Sequence, residues 1–541
     1  MVAVPREPLI KAHPIHPPHP SLLGPSWRRG FTLGCLLLAA PLPGPAQAPP
    51  AQPMAFAPDP VPVLGASIRR LIDAPRFKAA TWGIQVVSLD SGRILFEYNA
   101  DKYFITASNA KLFTAAMALQ ELGPDLRIRT SLYGSARPDA DGVLAGDLVL
   151  FGRGDPTLMR PWHDGPFQPD PLEALAIQLR AQGVRTVQGD LVGDDSFFAE
   201  PPYGPGWEWE DLRFGYGAEA TALTMHHNVV DLWVYPAPAA GRPCFLFAQP
   251  GQDLIPLRND TSTGAAGSEP GIRAERLPGE QSIRVTGSLP LGADPVRLAV
   301  TVHDSALWSA GLLRRALARH DIQLLGQVRS VHFQDRGVPL DPARMVELGH
   351  LDSPPLLEIL RELLKNSDNL YAQLTLLQAG ARRSGGTGTV HQGLLAMAAW
   401  MARAGLKPED TVLEEGSGLS RKNLVKPGGL IELLVTMDRQ PEAAAFLGLL
   451  PIAGVDGSLR HRMEGGAAQG NLRAKTGTLR NTRALSGYVT SAGGERLAFA
   501  LMLNNDHEEP RRSAGPGAPG SETVLDAIAE LLARFPASAR Q

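Results

Sequence analysis

A chain of 541 residues, 44% hydrophobic and 20% charged, is long enough for two or three domains with sizeable cores and too apolar for a disordered protein. Its formal net charge is −3 with no long run of either sign, which excludes the basic footprint of a nucleic-acid partner. Two cysteines, Cys35 and Cys244, are too few for a cysteine metal site; with Cys35 in an N-terminal apolar stretch no internal disulfide is expected, and Cys244 reads as a small buried hydrophobe.

Residues 1–48 read as an N-terminal extension and signal peptide. Arg28 and Arg29 precede the apolar run Phe31 to Ala40, and Ala46-Gln47-Ala48 offers small residues for cleavage. The run falls short of the ~20 residues that span a bilayer, and no other segment looks like a transmembrane anchor. The expected product is exported and soluble, in the periplasm or an equivalent extracytoplasmic space. Pro and Ala dominate a linker over 49–63, and structure should begin near Leu64 with a short helix through Leu71. Thr81–Ser88 and Arg93–Tyr98 are strand-like around a turn at Asp90-Ser91-Gly92, and a helix is expected from Ser108 to Leu122, stopped by Gly123-Pro124.

From about residue 130 to 327 the character changes to short strands and many Gly and Pro. Val143–Phe151, Gly189–Asp194, Val229–Tyr235, Ser282–Gly287 and Arg297–Val302 read as strands, and Leu172–Gln182 and Ala306–Arg319 as helices. Helical patterns return in Leu356–Leu364, Asn369–Ala379 and His391–Ala404. Leu472–Thr478, Ala484–Thr490 and Arg496–Asn504 form a β-meander, and Ser521 is expected to cap a closing helix to Phe535. The sum is a mixed α/β chain: one domain from 64–129 and 328–541, interrupted by a strand-rich insert of one or two domains over 130–327.

Only nine lysines stand among 52 basic residues, so a lysine at a motif position is informative. Ser108-Asn109-Ala110-Lys111 puts a hydroxyl and an amine one helical turn apart, on the same face. A serine needs a base to become a nucleophile, and a desolvated neutral lysine can be that base where an arginine cannot. The competing reading is a helix cap followed by a surface lysine. Lys475-Thr476-Gly477 opens the meander; its Lys and Thr suit a carboxylate, and Gly477 removes a side chain so that a substrate can lie along the strand edge, though an ordinary edge strand fits too. Ser367-Asp368-Asn369, just before a helix, reads alone as a cap. Ser-x-x-Lys, Ser-Asp-Asn and Lys-Thr-Gly in this order are the signature of class A β-lactamases and penicillin-binding proteins.

The likeness extends through Gly152-Arg153-Gly154-Asp155-Pro156-Thr157, Tyr216-Gly217-Ala218, Gly416-Ser417-Gly418-Leu419-Ser420 and Leu450-Pro451-Ile452-Ala453-Gly454. On these residues the chain resembles the low-molecular-mass penicillin-binding proteins of the D-alanyl-D-alanine carboxypeptidase/endopeptidase family, class C type. The long stretch between Ser108 and Ser367 matches the inserted domains of that family, which a compact β-lactamase lacks. The resemblance implies a β-lactamase/penicillin-binding-type domain, an antiparallel sheet flanked by helices, and a serine-type carboxypeptidase or endopeptidase acting on peptidoglycan stem peptides. It implies Ser108, Lys111 and Ser367 as catalytic residues, with Asn369, Lys475, Thr476 and Thr478 holding substrate. β-Lactam antibiotics would be covalent inhibitors, and neither a cofactor nor a metal is expected. A β-lactamase-like hydrolase and a catalytically silent wall-binding protein are the alternatives, and the oligomeric state stays open. Three departures stand out: Glu415 where Asp is expected, Arg153 for a glycine, and His226-His227 in an expected strand. The pair reads as structural rather than metal-binding, since it lacks the i, i+4 spacing of helical ligands.

Overall fold

Two strands near the start of the chain find their partner at its end. In the computed structural model, which describes residues 59–158, 170–507 and 520–536, β1 (Thr81–Ser88) pairs with β2 (Ile94–Tyr98) on one side and with β5 (Arg496–Asn504) on the other. β5 then pairs with β4 (Thr482–Thr490) and β4 with β3 (Arg473–Leu479), giving an antiparallel sheet in the order β2-β1-β5-β4-β3. The expected leader of 1–48, the expected linker as far as residue 58 and the expected loop of 513–520 as far as residue 519 lie outside the described residues.

Both faces of this sheet are covered, which is why its strands are apolar almost throughout. Leu497, Phe499, Leu501 and Leu503 of β5 pack with Ile68 of α1 (Val61–Ile72) and with Leu525 and Ile528 of the closing helix Ser521–Ala533. The alternate residues Ala498, Ala500 and Met502 turn to the other face, against α2 (Ala110–Glu121) and the helices of the second half. The small side chains on that face, Ala484 among them, let α2 lie close. Asn109, wholly buried, fixes its start by donating to Ser486 Oγ of β4 at 2.8 Å. The helix Leu356–Lys365, α3 (Asn369–Ser384) and the helix Val390–Arg403 complete this layer.

A second five-stranded sheet takes the order 328–331, 191–194, 148–151, 129–134, 346–352. Its first three strands are parallel, and Leu175, Leu179, Leu313 and Leu317 from the helices Pro171–Ala181 and Ser305–Arg319 pack in its core. Smaller sheets are built from 229–235, 245–249 and 296–301, and from 257–264, 271–275 and 283–290. Strand pairing carries the second sheet to Asp352, beyond residue 327 where the sequence ends the insert. Among the described residues no helix is long and apolar enough to cross a membrane.

Several local expectations need correction. The first helix begins at Val61, inside the expected linker, because Pro62 sits in the first turn, where a proline costs no hydrogen bond. Val143–Phe151 is two strands, Val143–Leu144 and Leu148–Phe151, in different sheets; between them Asp147 Oδ1 accepts the Asp190 N–H at 2.8 Å. His226-His227 are not in a strand. With Asn228 they form a left-handed turn, φ 49°, 54° and 54°, held by Asn228 Oδ1 on the Met225 N–H (3.0 Å) and Asn228 Nδ2 on the Glu219 carbonyl (2.8 Å). Ser521 is the first helical residue rather than the cap, which is Gly520; the Ser521 hydroxyl donates to Asp506 Oδ2.

Candidate active site

Ser108 lies in a single 3₁₀ turn, Ala107–Asn109, that leads into α2, so its hydroxyl and the Lys111 amine stack one turn apart. Lys111 is wholly buried. Its Nζ donates to Ser108 Oγ at 2.9 Å, to Asn369 Oδ1 at 2.6 Å and to the Ser417 carbonyl at 2.5 Å. Burial pushes its pKa down to about 8, and Glu415 and Asp368 oppose that shift. An amine in this state loses its proton around pH 8, well below the range in which an exposed lysine does.

The turn that carries Ser108 is wedged between two backbone segments with no room for side chains. A Cβ on Gly477 would meet the Thr106 carbonyl oxygen at 3.0 Å and Ala107 Cβ at 3.2 Å. Gly418, at φ +83°, would place one 2.0 Å from the Ala107 carbonyl oxygen. Gly477 therefore makes space for the serine turn, in addition to any room it leaves along the strand edge.

Ser367 has φ +60°, just ahead of α3, whose cap is Asp368 through Oδ1 on the Tyr371 N–H (2.9 Å). Lys475, on β3 and wholly buried, donates to Ser367 Oγ at 2.8 Å and to the Thr476 carbonyl at 2.8 Å. Burial, and after it the charge of Lys111, holds Lys475 well below the usual lysine pKa. The three motifs thus meet: Lys111 bridges Ser108 and Asn369, and Lys475 binds Ser367, two residues before Asn369. Thr476 Oγ1 shares a hydrogen bond of 2.8 Å with Ser458, and Thr478 is exposed two residues further along β3. β3 is an edge strand. Past the bridge between Ile452 and Arg473, its outer side pairs with no other strand among the described residues.

Two contributors were not legible as such. Glu415 is buried at the base of the site rather than lining it, and its carboxylate gathers the N–H groups of Ser417 (2.6 Å) and Gly418 (2.6 Å) and the Asn423 amide (2.6 Å). That folds the loop whose Ser417 carbonyl receives Lys111. Asn369 Nδ2 donates to the Tyr216 carbonyl at 2.8 Å, so the segment around Tyr216 borders the cleft. A backbone acceptor carries no sequence signal; Glu415 had one, as a departure from an expected aspartate. Arg153, another departure, binds the Arg129 carbonyl, Ser131 Oγ and Tyr133 OH at 2.8–3.1 Å, within the second sheet and away from the reacting groups. Among the described residues no group of three or more His, Cys, Asp or Glu side chains comes together as a metal ligand set.

Comparison with known proteins points the same way as the geometry. The model of the D-Ala-D-Ala carboxypeptidase 3 (S13) family matches residues 64–518. A D-alanyl-D-alanine carboxypeptidase of Actinomadura sp. (strain R39) is 36% identical over 479 residues, 86% of this chain and 84% of that protein. The crystal structure of penicillin binding protein 4 (dacB) from Haemophilus influenzae superposes with a TM-score of 0.75 at 24% identity, covering 86% of this chain and 99% of that one. The same Haemophilus protein complexed with a β-lactam gives a TM-score of 0.69 at 23% identity, covering 86% and 98%.

Proposed function

The chain belongs to the D-Ala-D-Ala carboxypeptidase 3 (S13) family, and on that premise we propose that it cleaves the terminal D-Ala-D-Ala bond of peptidoglycan stem peptides, and the related cross-link, through an acyl-enzyme on Ser108. The observation that carries the assignment of roles is the hydrogen bond from the buried Lys111 amine to Ser108 Oγ. In its neutral form Lys111 takes the hydroxyl proton as Ser108 Oγ bonds to the carbonyl carbon of the penultimate D-Ala. The backbone N–H groups of Ser108 and Thr478 receive the negative charge that develops on the carbonyl oxygen, an effect of about 2.7–4 kcal/mol per donor. Collapse of the tetrahedral adduct breaks the C–N bond. The departing amine takes the proton that Lys111 had accepted, relayed through Ser367, which Lys475 supports, and Lys111 is left neutral again. Water then attacks the ester, gives up its proton to the same base, and releases the shortened peptide with Ser108 restored.

Lys475 and Thr476 receive the terminal carboxylate in this scheme, and Asn369 orients both Lys111 and the substrate amide. The outer edge of β3 beyond the bridge between Ile452 and Arg473, which pairs with no strand among the described residues, supports an extended peptide lying beside it. β-Lactams acylate the same serine, and the chain works in the periplasm or an equivalent extracytoplasmic space after export by the segment of residues 1–48. The division into a catalytic unit of 64–129 and 328–541 and an insert of 130–327 belongs to the same reading, with strand pairing in favour of moving the later boundary toward Ser353.

The test is direct. Wild-type protein should release D-Ala from a short D-Ala-D-Ala peptide and take up a fluorescent penicillin covalently, and Ser108→Ala should do neither. Labelling of Ser108→Ala would refute the assignment. Digestion of cross-linked and monomeric muropeptides, read by mass, apportions the endopeptidase and carboxypeptidase activities.

A further inference from the structure

The sheet of 229–235, 245–249 and 296–301 has one face in the core and one in solvent. Val230, Leu232 and Val234 turn inward, with Leu246 and Leu298 packed beside them. The alternate residues make the outer face: Asp231, Trp233 and Tyr235 on the central strand, Phe245, Phe247 and Gln249 on one neighbour, Arg297 and Ala299 on the other. Register sets Phe245 opposite Tyr235 and Phe247 opposite Trp233, so four aromatic rings form a two-by-two array. Phe245 is 60% exposed, Phe247 41% and Tyr235 38%, with Trp233 partly covered. The Trp233 and Tyr235 rings are near parallel, 26° apart with centroids separated by 6.5 Å. The outer face of a one-sided sheet normally carries polar side chains, and folding alone gives no reason for four aromatics there.

We infer that this face is a docking platform for the glycan strand of the cell-wall polymer, a reading that rests on the peptidoglycan activity proposed above. A pyranose ring presents flat C–H faces that stack on aromatic rings and a rim of hydroxyl and acetamido groups that needs hydrogen bonds. Side chains on one sheet face repeat about 7 Å along a strand and about 5 Å across strands, close to the dimensions of a sugar ring. Gln249, at the edge of the array, brings an amide donor and acceptor. Arg297 is neutralised by Asp231 at 2.8 Å, with its guanidinium 5.9 Å from the Trp233 ring centre. Among its outward residues the face thus carries no net charge, which suits an uncharged polymer and not an anionic membrane. A second copy of the chain is the poorer occupant, because the exposed aromatic area sums to about 300 Å², against about 800 Å² per partner in a stable dimer.

The experiment uses the full chain and peptide-free chitohexaose, a soluble β-1,4-linked N-acetylglucosamine oligomer, followed by tryptophan fluorescence. Wild-type protein is expected to bind it, and Phe245→Ser/Phe247→Ser and, separately, Tyr235→Ser to bind about tenfold more weakly or worse. Penicillin labelling and hydrolysis of a short soluble peptide should be unchanged in both variants, which shows that they fold, while D-Ala release from intact sacculi should fall. No binding by wild type, equal affinity in the variants, or a sedimenting dimer that the double variant splits would each overturn the inference. Failure of the enzymatic reading is separately visible, as a wild-type protein that leaves the short peptide intact whatever it does with the glycan.

Discussion

Lys111 and Lys475 are both wholly buried, and the charge of the first lowers the proton affinity of the second. One comes from the helix after Ser108 and the other from the edge strand near the far end of the chain, and each donates to a different serine hydroxyl at 2.8–2.9 Å. Two ammonium groups so placed are costly together, so the site favours a state in which one has shed its proton.

This has a kinetic signature. With Lys111 lowered to about 8 mainly by burial, the neutral base accumulates as pH rises, and the rate of penicillin acylation should climb through a midpoint near pH 8. Stopped-flow acylation across the neutral to alkaline range checks it. Lys111→Arg should show no rising limb and at least a thousandfold slower acylation, because arginine keeps its proton.

Glu415 opposes the lowering of Lys111, so removing its charge should extend the shift. Glu415→Gln is expected to move the rising limb to lower pH. The loss of charge-assisted bonds to the Ser417–Asn423 loop should also lower the Tm, by about 1–3 kcal/mol of stability. The pH–rate profile and thermal denaturation separate the two effects.

Gly418→Ala puts a methyl against the Ala107 carbonyl at a backbone conformation that alanine resists. A shift of the Ser108 turn should slow acylation about a hundredfold and cost about 2 kcal/mol or more. Gly448→Ala, in a helix with open space at its Cβ, is the control: unchanged acylation and a gain of about 0.5–1 kcal/mol. Acylation rate and Tm read both.

Asp155 is buried, with Oδ1 bound to the Thr157 N–H (2.8 Å) and hydroxyl (2.7 Å) and Oδ2 without a partner. Burial raises its pKa to about 6. A carboxyl whose folded pKa lies above its unfolded value binds more protons when folded, so stability falls as pH rises from about 4 to 6 and stays reduced above. Asp155→Asn keeps the Oδ1 bonds without the charge. Relative to wild type it should gain about 1–2 kcal/mol at pH 7, and the gain should vanish below pH 4. Urea unfolding at both pH values decides it.

The central sheet was legible because its strands carry their own punctuation. Thr81–Ser88 and Arg496–Asn504 begin and end where the turn residues predict. The side chains that meet at the candidate site were legible for a related reason: Ser108 with Lys111, Ser367 with Asn369, and Lys475 with Thr476 are each local in sequence. What escaped was supplied by backbone or by distant partners. The carbonyls of Ser417 and Tyr216 can be contributed by any residue type. Phe245–Gln249 and Leu257–Gly264 were missed as strands; the second is largely polar, and its pairing with Ile283–Pro290 is parallel and non-local. His226-His227 misled because a left-handed turn of non-glycine residues is rare, and only the Asn228 and Glu219 contacts stabilise it.

The pairing of β1 with β5 has a consequence for how the protein comes into being. Ser108 is synthesised early, yet the sheet beneath it closes only when residues 496–504 arrive, and the lysine strand β3 is itself a late segment. A chain still being made therefore carries an inert alcohol at Ser108, and on the proposed reading that alcohol becomes a nucleophile open to acylation only once the last strands are in place. Such sequence-distant closure is slow, so radiolabelled penicillin added during refolding should act as a stopwatch for the last step of assembly.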